Sequence, residues 1–328
     1  MNVRVDGPNQ ALAALGVDVR EYRSRIVIPR DVAKGAVKVL TIQRPILAPN
    51  ISKNLLKTAF DREWLIVTEF DDHPELLPAP VRKEFMQQMG MRTFAACHGV
   101  QTTTSPLAEA LRSYNPYVAA FGNHIFGYPL AGRPVSDRIR LIFAALNRRE
   151  AWAPLIPAIN DILRRHENVE LKVLQDKAFF DAIAVNNKSF YDAVPYDQYL
   201  KHMLLSDIAL APLNESPFTA CKSDIKFLEA SICGAATIAS PTVYKNTIIH
   251  GETGLIADHP DEWAGCLEKL ITDASYRQRM ARNANRYVRE NRMLMRHIHK
   301  RIDWYKELWE NRAEINKRLR EQFPEITS

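Results

Sequence analysis

Three groups of residues in this chain have the types and spacing to do chemistry. The first is Lys222-Ser-Asp-Ile-Lys226-Phe-Leu-Glu229, which sets two cations and a carboxylate around the start of a short helix. Ser223 or Asp224 can cap that helix, Ile225, Leu228 and Ile232 sit near one face, and Gly234 supplies a left-handed stop. A helix start with unpaired backbone N–H groups and lysines close by is a phosphate site, and Glu229, one turn further in, can face a sugar hydroxyl. The second group is Asn147-Arg148-Arg149, at the end of the apolar run Ile139 to Ala145. The third is Thr68-Glu69-Phe-Asp71-Asp72-His73-Pro74, directly after the apolar run Leu65 to Thr68, where a parallel sheet presents ligand-facing residues. Asp71, Asp72 or His73 can bind a hydroxyl or take its proton; the alternative is an Asx-rich turn capping the helix near Pro80.

The elements that must position these groups alternate along the chain. Helix near Ala11 to Leu15, strand Val37 to Ile42, helix Ile51 to Phe60, strand Leu65 to Thr68, strand Val100 to Thr103, helix Pro106 to Arg112 and strand Tyr117 to Phe121 form a first half. The Gly- and Pro-rich stretch Gly127 to Ser136 reads as a linker. A second alternation has strand Ile139 to Ala145, helix Trp152 to Arg165, strand Val169 to Leu174, helix Tyr196 to Leu205, strand Ile208 to Pro212, then the Lys222 to Glu229 helix, the apolar strand Ala235 to Ala239 and a strand near Leu255. This predicts an α/β protein with two doubly wound, Rossmann-like domains, over residues 1–127 and 128–274, followed by basic helices over 275–328.

Composition narrows the function classes. With 328 residues, 46% hydrophobic and 25% charged, the chain is long enough for two cores and ordinary in balance. It has no apolar run long enough to span a bilayer and no signal-peptide layout at its start, which predicts a cytoplasmic protein. Cys97, Cys221, Cys233 and Cys266 form no C-x-x-C pair, so neither a zinc site nor a disulfide framework is expected, and no metal or other cofactor. The net charge of +6 fits phosphate-bearing ligands, anionic membranes or nucleic acid without choosing among them.

Glu229-Ala-x-x-Cys-Gly-Ala-x-x-Ile-Ala-Ser, followed by Ile249-His-Gly-Glu-Thr-Gly-Leu-Ile256, resembles the nucleotide-sugar half of the GT-B glycosyltransferases, and more narrowly glycosyltransferase family 4. The resemblance implies a retaining transfer of a sugar from a nucleotide donor to a glycan, lipid-linked or protein acceptor, in a cleft between two domains, as in bacterial surface polysaccharide or glycoconjugate synthesis. On it, Arg148, Arg149, Lys222, Ser223 and Lys226 would hold the diphosphate in place of a metal, with Glu229 on the donor sugar. Tyr196 and Asn214 would border the base. Glu69, Asp72 and Tyr244 would face the acceptor, with Asp71, Asp72 and His73 the candidates for chemistry there. His98, before a strand, is expected away from the cleft, and the terminal helices are expected to cross back onto the first domain.

Two departures from the family pattern stand out. Family members often carry two glutamates eight residues apart, yet eight before Glu229 stands Cys221. They also open with an apolar strand and a glycine-rich loop, for which Met1 to Val5 is too short, so a missing or trimmed first strand is expected. These departures keep a non-catalytic nucleotide-sugar or glycan-binding protein as the alternative. The arginines from 277 to 301 are a solvated face or a peripheral membrane contact; nucleic acid is not the expected partner.

Overall fold

A computed structural model describes residues 3–33, 35–77, 79–88, 91–127 and 136–326. The expected linker lies almost wholly outside the described residues. The chain divides into two compact bodies. One comprises Met1–Gly7, Asn123–Ala220 and Asp224–Arg296, and the other Pro8–Gly122, Cys221–Ser223 and His297–Ser328.

The body built around residues 8–122 holds a four-stranded parallel sheet of β1 (Val39–Gln43), β2 (Leu65–Glu69), β3 (Gly99–Thr102) and β4 (Val118–Ala120), in the order β1-β2-β3-β4. A sheet wound in one direction by right-handed crossovers carries its connections on one face, so the other must be covered from elsewhere. Here the cover comes from the helix Ile298–Glu310. Thr41, Val67 and Gly99 are in register and so share a face, and Gln101 follows Gly99 at the period of two. On that face Tyr305 donates its hydroxyl to Gln101 Oε1 at 2.8 Å and lies 3.2 Å from Thr41 Oγ1. A Cβ at residue 99 would stand 2.9 Å from Leu308 and 3.0 Å from Trp304, so glycine there lets the helix approach the strand. Phe70, Phe85 and Phe94 form an aromatic cluster in the same core, with ring centroids 5.2 to 5.6 Å apart.

The other body holds six parallel strands, β5 (Ile139–Ala144), β6 (Val169–Leu174), β7 (Lys188–Tyr191), β8 (Ile208–Ala211), β9 (Ala236–Ala239) and β10 (Leu255–Ile256), in the order β10-β9-β8-β5-β6-β7. The winding reverses between β5 and β8, which opens a crevice at their carboxyl ends. The strand β7 and the helix Lys177–Ala182 go unread in the sequence. The helix expected over Trp152 to Arg165 is instead Arg149–Trp152, a 3-10 turn Ala153–Leu155, and Ile156–Arg165, with Pro154 and Pro157 placed at the start of each later piece. The C-terminal crossing, expected from residue 275, begins at His297. The helix Ala274–Asn291 stays with the second sheet because Met280, Ala281, Ala284 and Val288 are buried along one of its faces.

His98 ties the C-terminal helix Arg312–Gln322 to the first sheet. It is 1% exposed, its Nδ1 accepts the Ile66 N–H at 2.9 Å, and its Nε2 then carries the proton and donates to Asn316 Oδ1 at 2.9 Å. Burial pushes its pKa down to about 4 from the ordinary 6.5. Between those values the unfolded chain binds a proton that the folded protein refuses, so stability is full above the ordinary value and falls as pH drops towards 4. Urea unfolding should show a loss of about 2 kcal/mol between roughly pH 8 and pH 5 from this group. A His98→Gln variant, weaker throughout, should have a flatter dependence; an unchanged slope would count against this assignment.

Candidate donor and acceptor sites

The helix Ile225–Ile232 carries the first chemical group. Glu229 is 3% exposed, and its Oε2 accepts the Tyr199 hydroxyl at 2.7 Å and lies 3.4 Å from Lys226 Nζ. Lys226 also donates to the Tyr199 hydroxyl at 3.1 Å and sits 4.6 Å above that ring. Tyr196 and Tyr199 stack at 5.8 Å, and burial followed by the Glu229 charge raises the pKa of both phenols. The carboxylate expected to face a sugar hydroxyl is therefore already shared between a phenol and an ammonium. Lys226 stays partly exposed at 30% of its side chain.

Asp224 occupies the N-cap position, yet its side chain makes no capping bond. It pairs instead with Arg292 through two contacts, 2.6 and 3.0 Å, and accepts the Thr247 hydroxyl at 2.8 Å. Arg292 donates further to the Asn123 carbonyl at 3.1 Å. Breaking a buried pair strands the remaining charge, so Arg292→Met should cost about 3 kcal/mol or more of stability. Chemical denaturation should also find the double variant Arg292→Met/Asp224→Asn less damaged than the sum of the two single changes.

Arg148 and Arg149 follow β5, at the reversal point. Asn147 takes a left-handed φ of 57° before them, turning the chain from the strand into the short helix Arg149–Trp152. Arg148 is half-buried and Arg149 exposed, and neither pairs with a carboxylate among the described residues. Asn214, after β8, donates to Glu150 at 3.1 Å and so links the two loops that flank the crevice. Ser240 Oγ accepts the Leu213 N–H and Thr242 donates to the Leu213 carbonyl, both at 3.0 Å, which fastens the loop after β9 to the loop after β8. Tyr244, expected at the acceptor, is 2% exposed and belongs to the core. Burial pushes its pKa up to about 12, with the charge of Arg148 pulling it down and those of Asp224 and Glu229 pushing it up.

In the first body, charged residues gather at the carboxyl ends of β1 and β2. Arg44, with a left-handed φ of 44°, meets Asp71 at 2.5 Å and Asp72 at 3.1 Å, and Lys222 meets Asp72 at 2.7 Å. The sequence pointed to the acids but not to Arg44, whose only signal was its place just past a strand. Lys222 thus belongs to this body with Cys221 and Ser223, and its ammonium sits on an acid. The Cys221 carbonyl accepts the hydroxyl of Thr104, which also caps the helix Ser105–Arg112.

His73 takes another part than that of a base. Its Nδ1 accepts the Glu75 N–H at 3.2 Å, capping the turn Pro74–Leu76, and burial lowers its pKa, so the neutral ring carries its proton on Nε2. The cap that forms is not the anticipated Asx turn at the helix near Pro80: Asp71 and Asp72 pair with Arg44 and Lys222, and His73 caps the earlier turn. Glu69, expected beside the acceptor, is fully buried on β2 and accepts from Gln101. Among the described residues no helix is long and apolar enough to cross a membrane.

Residues 138–273 match the family model described as Glycosyl transferases group 1. No curated protein matches the chain by sequence. Among solved structures, TarM from S. aureus is similar with a TM-score of 0.59 at 10% identity, over 82% of this chain and 55% of TarM. Anabaena HepE in complex with UDP and glucose gives 0.56 at 14% identity, over 78% of this chain and 75% of HepE. The pneumococcal O-GlcNAc transferase GtfA in complex with UDP and GlcNAc gives 0.58 at 12%, over 83% and 57%. This chain therefore spans little more than half the length of TarM and GtfA, and the likeness is one of fold.

Proposed function

We propose, from the premise that residues 138–273 form a domain of the group 1 glycosyl transferases within a GT-B fold, that the chain transfers a sugar from a nucleoside diphosphate donor. The observation that carries this reading is Arg148 and Arg149, without carboxylate partners among the described residues, at the reversal point of the second sheet. Charge grows on the diphosphate as the glycosidic bond breaks, and fixed cations there lower the barrier. The two arginines and the exposed part of Lys226 supply that charge from protein groups, which supports a transfer without a metal. Tyr199 and Glu229 hold Lys226 in one rotamer above the phenol ring. UDP as the nucleotide is supported by the complexes of HepE and GtfA.

Asp71 and Asp72 are the groups on the first body that can accept a hydrogen bond from an acceptor hydroxyl, with Arg44 and Lys222 fixing their orientation. The acceptor is a glycan, lipid-linked or protein hydroxyl. Retention of anomeric configuration follows the group's resemblance, and a cytoplasmic site follows from the nucleotide donor.

A thermal-shift screen tests the reading, because a ligand bound only by the folded protein raises Tm. UDP or a UDP-sugar should raise it, and Arg148→Ala/Arg149→Ala should abolish the shift and lower turnover at least roughly a hundredfold. Binding of a donor with neither hydrolysis nor transfer across an acceptor panel would leave a binding protein. If no nucleotide sugar shifts Tm and none is consumed, the reading fails.

A further inference from the structure

The helix Ala274–Asn291 carries Arg277, Arg279, Arg282, Arg286 and Arg289 against a single acid, Glu290. Its buried face is fixed: Met280, Ala281, Ala284 and Val288 point into the core, and Asn285 donates to the Ser231 and Ile232 carbonyls, each at 3.0 Å. On the opposite side Arg279, Arg282, Arg286 and Arg289 are exposed. At 100° per residue these four fall within an arc of roughly 80°, on a helix about 27 Å long. Arg282 and Arg286 pair with no carboxylate among the described residues. Like charges three and four apart on a helix repel each other, so this face gains from an anion laid along it.

The surface beside the stripe holds two shallow, open depressions and is chemically mixed. A groove of ≈ 440 Å³ is lined by Arg286, Asn283, Asn291, Glu252, Glu290 and Ile249 among others, and one of ≈ 380 Å³ by Arg282, Arg286, Arg289 and Asn285. Asn283 donates to the Glu252 carbonyl at 3.3 Å, and Tyr276 to the Gly251 carbonyl at the same distance, so the turn forming the far wall is tied to the helix. Guanidinium groups suit a phosphate, whereas the amides and carboxylates suit hydroxyls that donate to them. Ile249, 54% exposed at the rim, adds an apolar contact. A plain phosphodiester backbone would meet Glu252 and Glu290 with nothing to donate.

We propose that this arginine face is a docking surface for a bilayer containing hydroxyl-bearing anionic headgroups, with phosphates on Arg282 and Arg286 and headgroup hydroxyls in the groove of Asn283, Glu252 and Glu290. Arg148, Arg149 and Lys226 do not line this surface, and the proposal does not rest on the donor reading. A flat helical face with a rim isoleucine lies parallel to a membrane surface and binds it through charge and a shallow apolar contact.

Sedimentation of the full chain with vesicles tests it. The protein should pellet with phosphatidylcholine vesicles only when phosphatidylglycerol is included, and less as salt rises. Arg282→Glu/Arg286→Glu should lower the partition coefficient about tenfold or more, with an unchanged melting temperature and unchanged nucleotide response showing that the variant is folded. Ile249→Ser should lower it by a smaller factor. Phosphatidylserine vesicles of equal charge should retain the protein less well; equal retention would overturn the assignment of the groove to hydroxyls. No binding to phosphatidylglycerol at low salt, or binding indifferent to the double reversal, would overturn the docking surface. So would single-stranded RNA bound in a reversal-sensitive way while vesicles are ignored.

Discussion

A parallel sheet must be covered on both faces, and most of this architecture follows from that constraint. In the second sheet the reversal between β5 and β8 distributes the connecting helices, so the sheet covers itself. The first sheet, with its strands in chain order, cannot do so. Its uncovered face is closed by the helix Ile298–Glu310, and the terms of that closure are local. Gly99 gives the close approach, Tyr305 satisfies Gln101, and His98 is held neutral against Asn316. The C-terminal helices are therefore part of the first core: Leu308, Trp309, Ile315, Leu319 and Phe323 are buried with Leu56, Ile66 and Phe94.

The reversal that covers the second sheet also makes its site. Loops leaving β5 and β8 diverge to opposite sides, and backbone between them is open to a ligand. Arg148 and Arg149 sit on one loop and Asn214 on the other, joined through Glu150. Two buried acids of the same body are compensated from within the protein. Asp224 has Arg292 and Thr247, and Glu229 has Tyr199 and Lys226. A buried carboxylate lacking such partners would cost several kcal/mol. These contacts also fix the start of the helix between the two acids.

The sequence carried the strands well, because each buried parallel strand is a short apolar run between turn residues. Both sheets' central strands are of this kind: Leu65–Glu69, Ile139–Ala144, Ile208–Ala211 and Ala236–Ala239. β7, Lys188–Tyr191, escaped because it is an edge strand, half-buried, with a lysine and a serine. The cations and acids of the site were visible by type, but their pairing was not. Nothing in local spacing brings Lys222 to Asp72, 150 positions away, or Arg44 to Asp71. Nor can spacing foretell that Asp224 would forgo its capping bond for Arg292, since that choice depends on where a later helix ends.

On the proposed transfer, those pairings decide which cations could meet a departing diphosphate. A lysine held at 2.7 Å by a carboxylate has most of its field cancelled, which describes Lys222 on Asp72. Lys226 is opposed by Glu229 at the longer distance of 3.4 Å and keeps part of its side chain in solvent. Only Arg148 and Arg149, of the cations proposed for the donor, have no carboxylate partner among the described residues. The absence of an acid at Cys221 takes on a physical meaning from the same geometry. Cys221 is 4% exposed within the first core, and its carbonyl is held by Thr104, so this position serves packing and chain placement. On the proposed transfer, with that acid gone and Glu229 engaged by Tyr199, recognition of the sugar's hydroxyls would fall to other polar groups at the crevice. The hydrogen bonds of Asn214, Ser240 and Thr242 hold the loops after β5, β8 and β9 in place, so their backbone offers fixed donors and acceptors there.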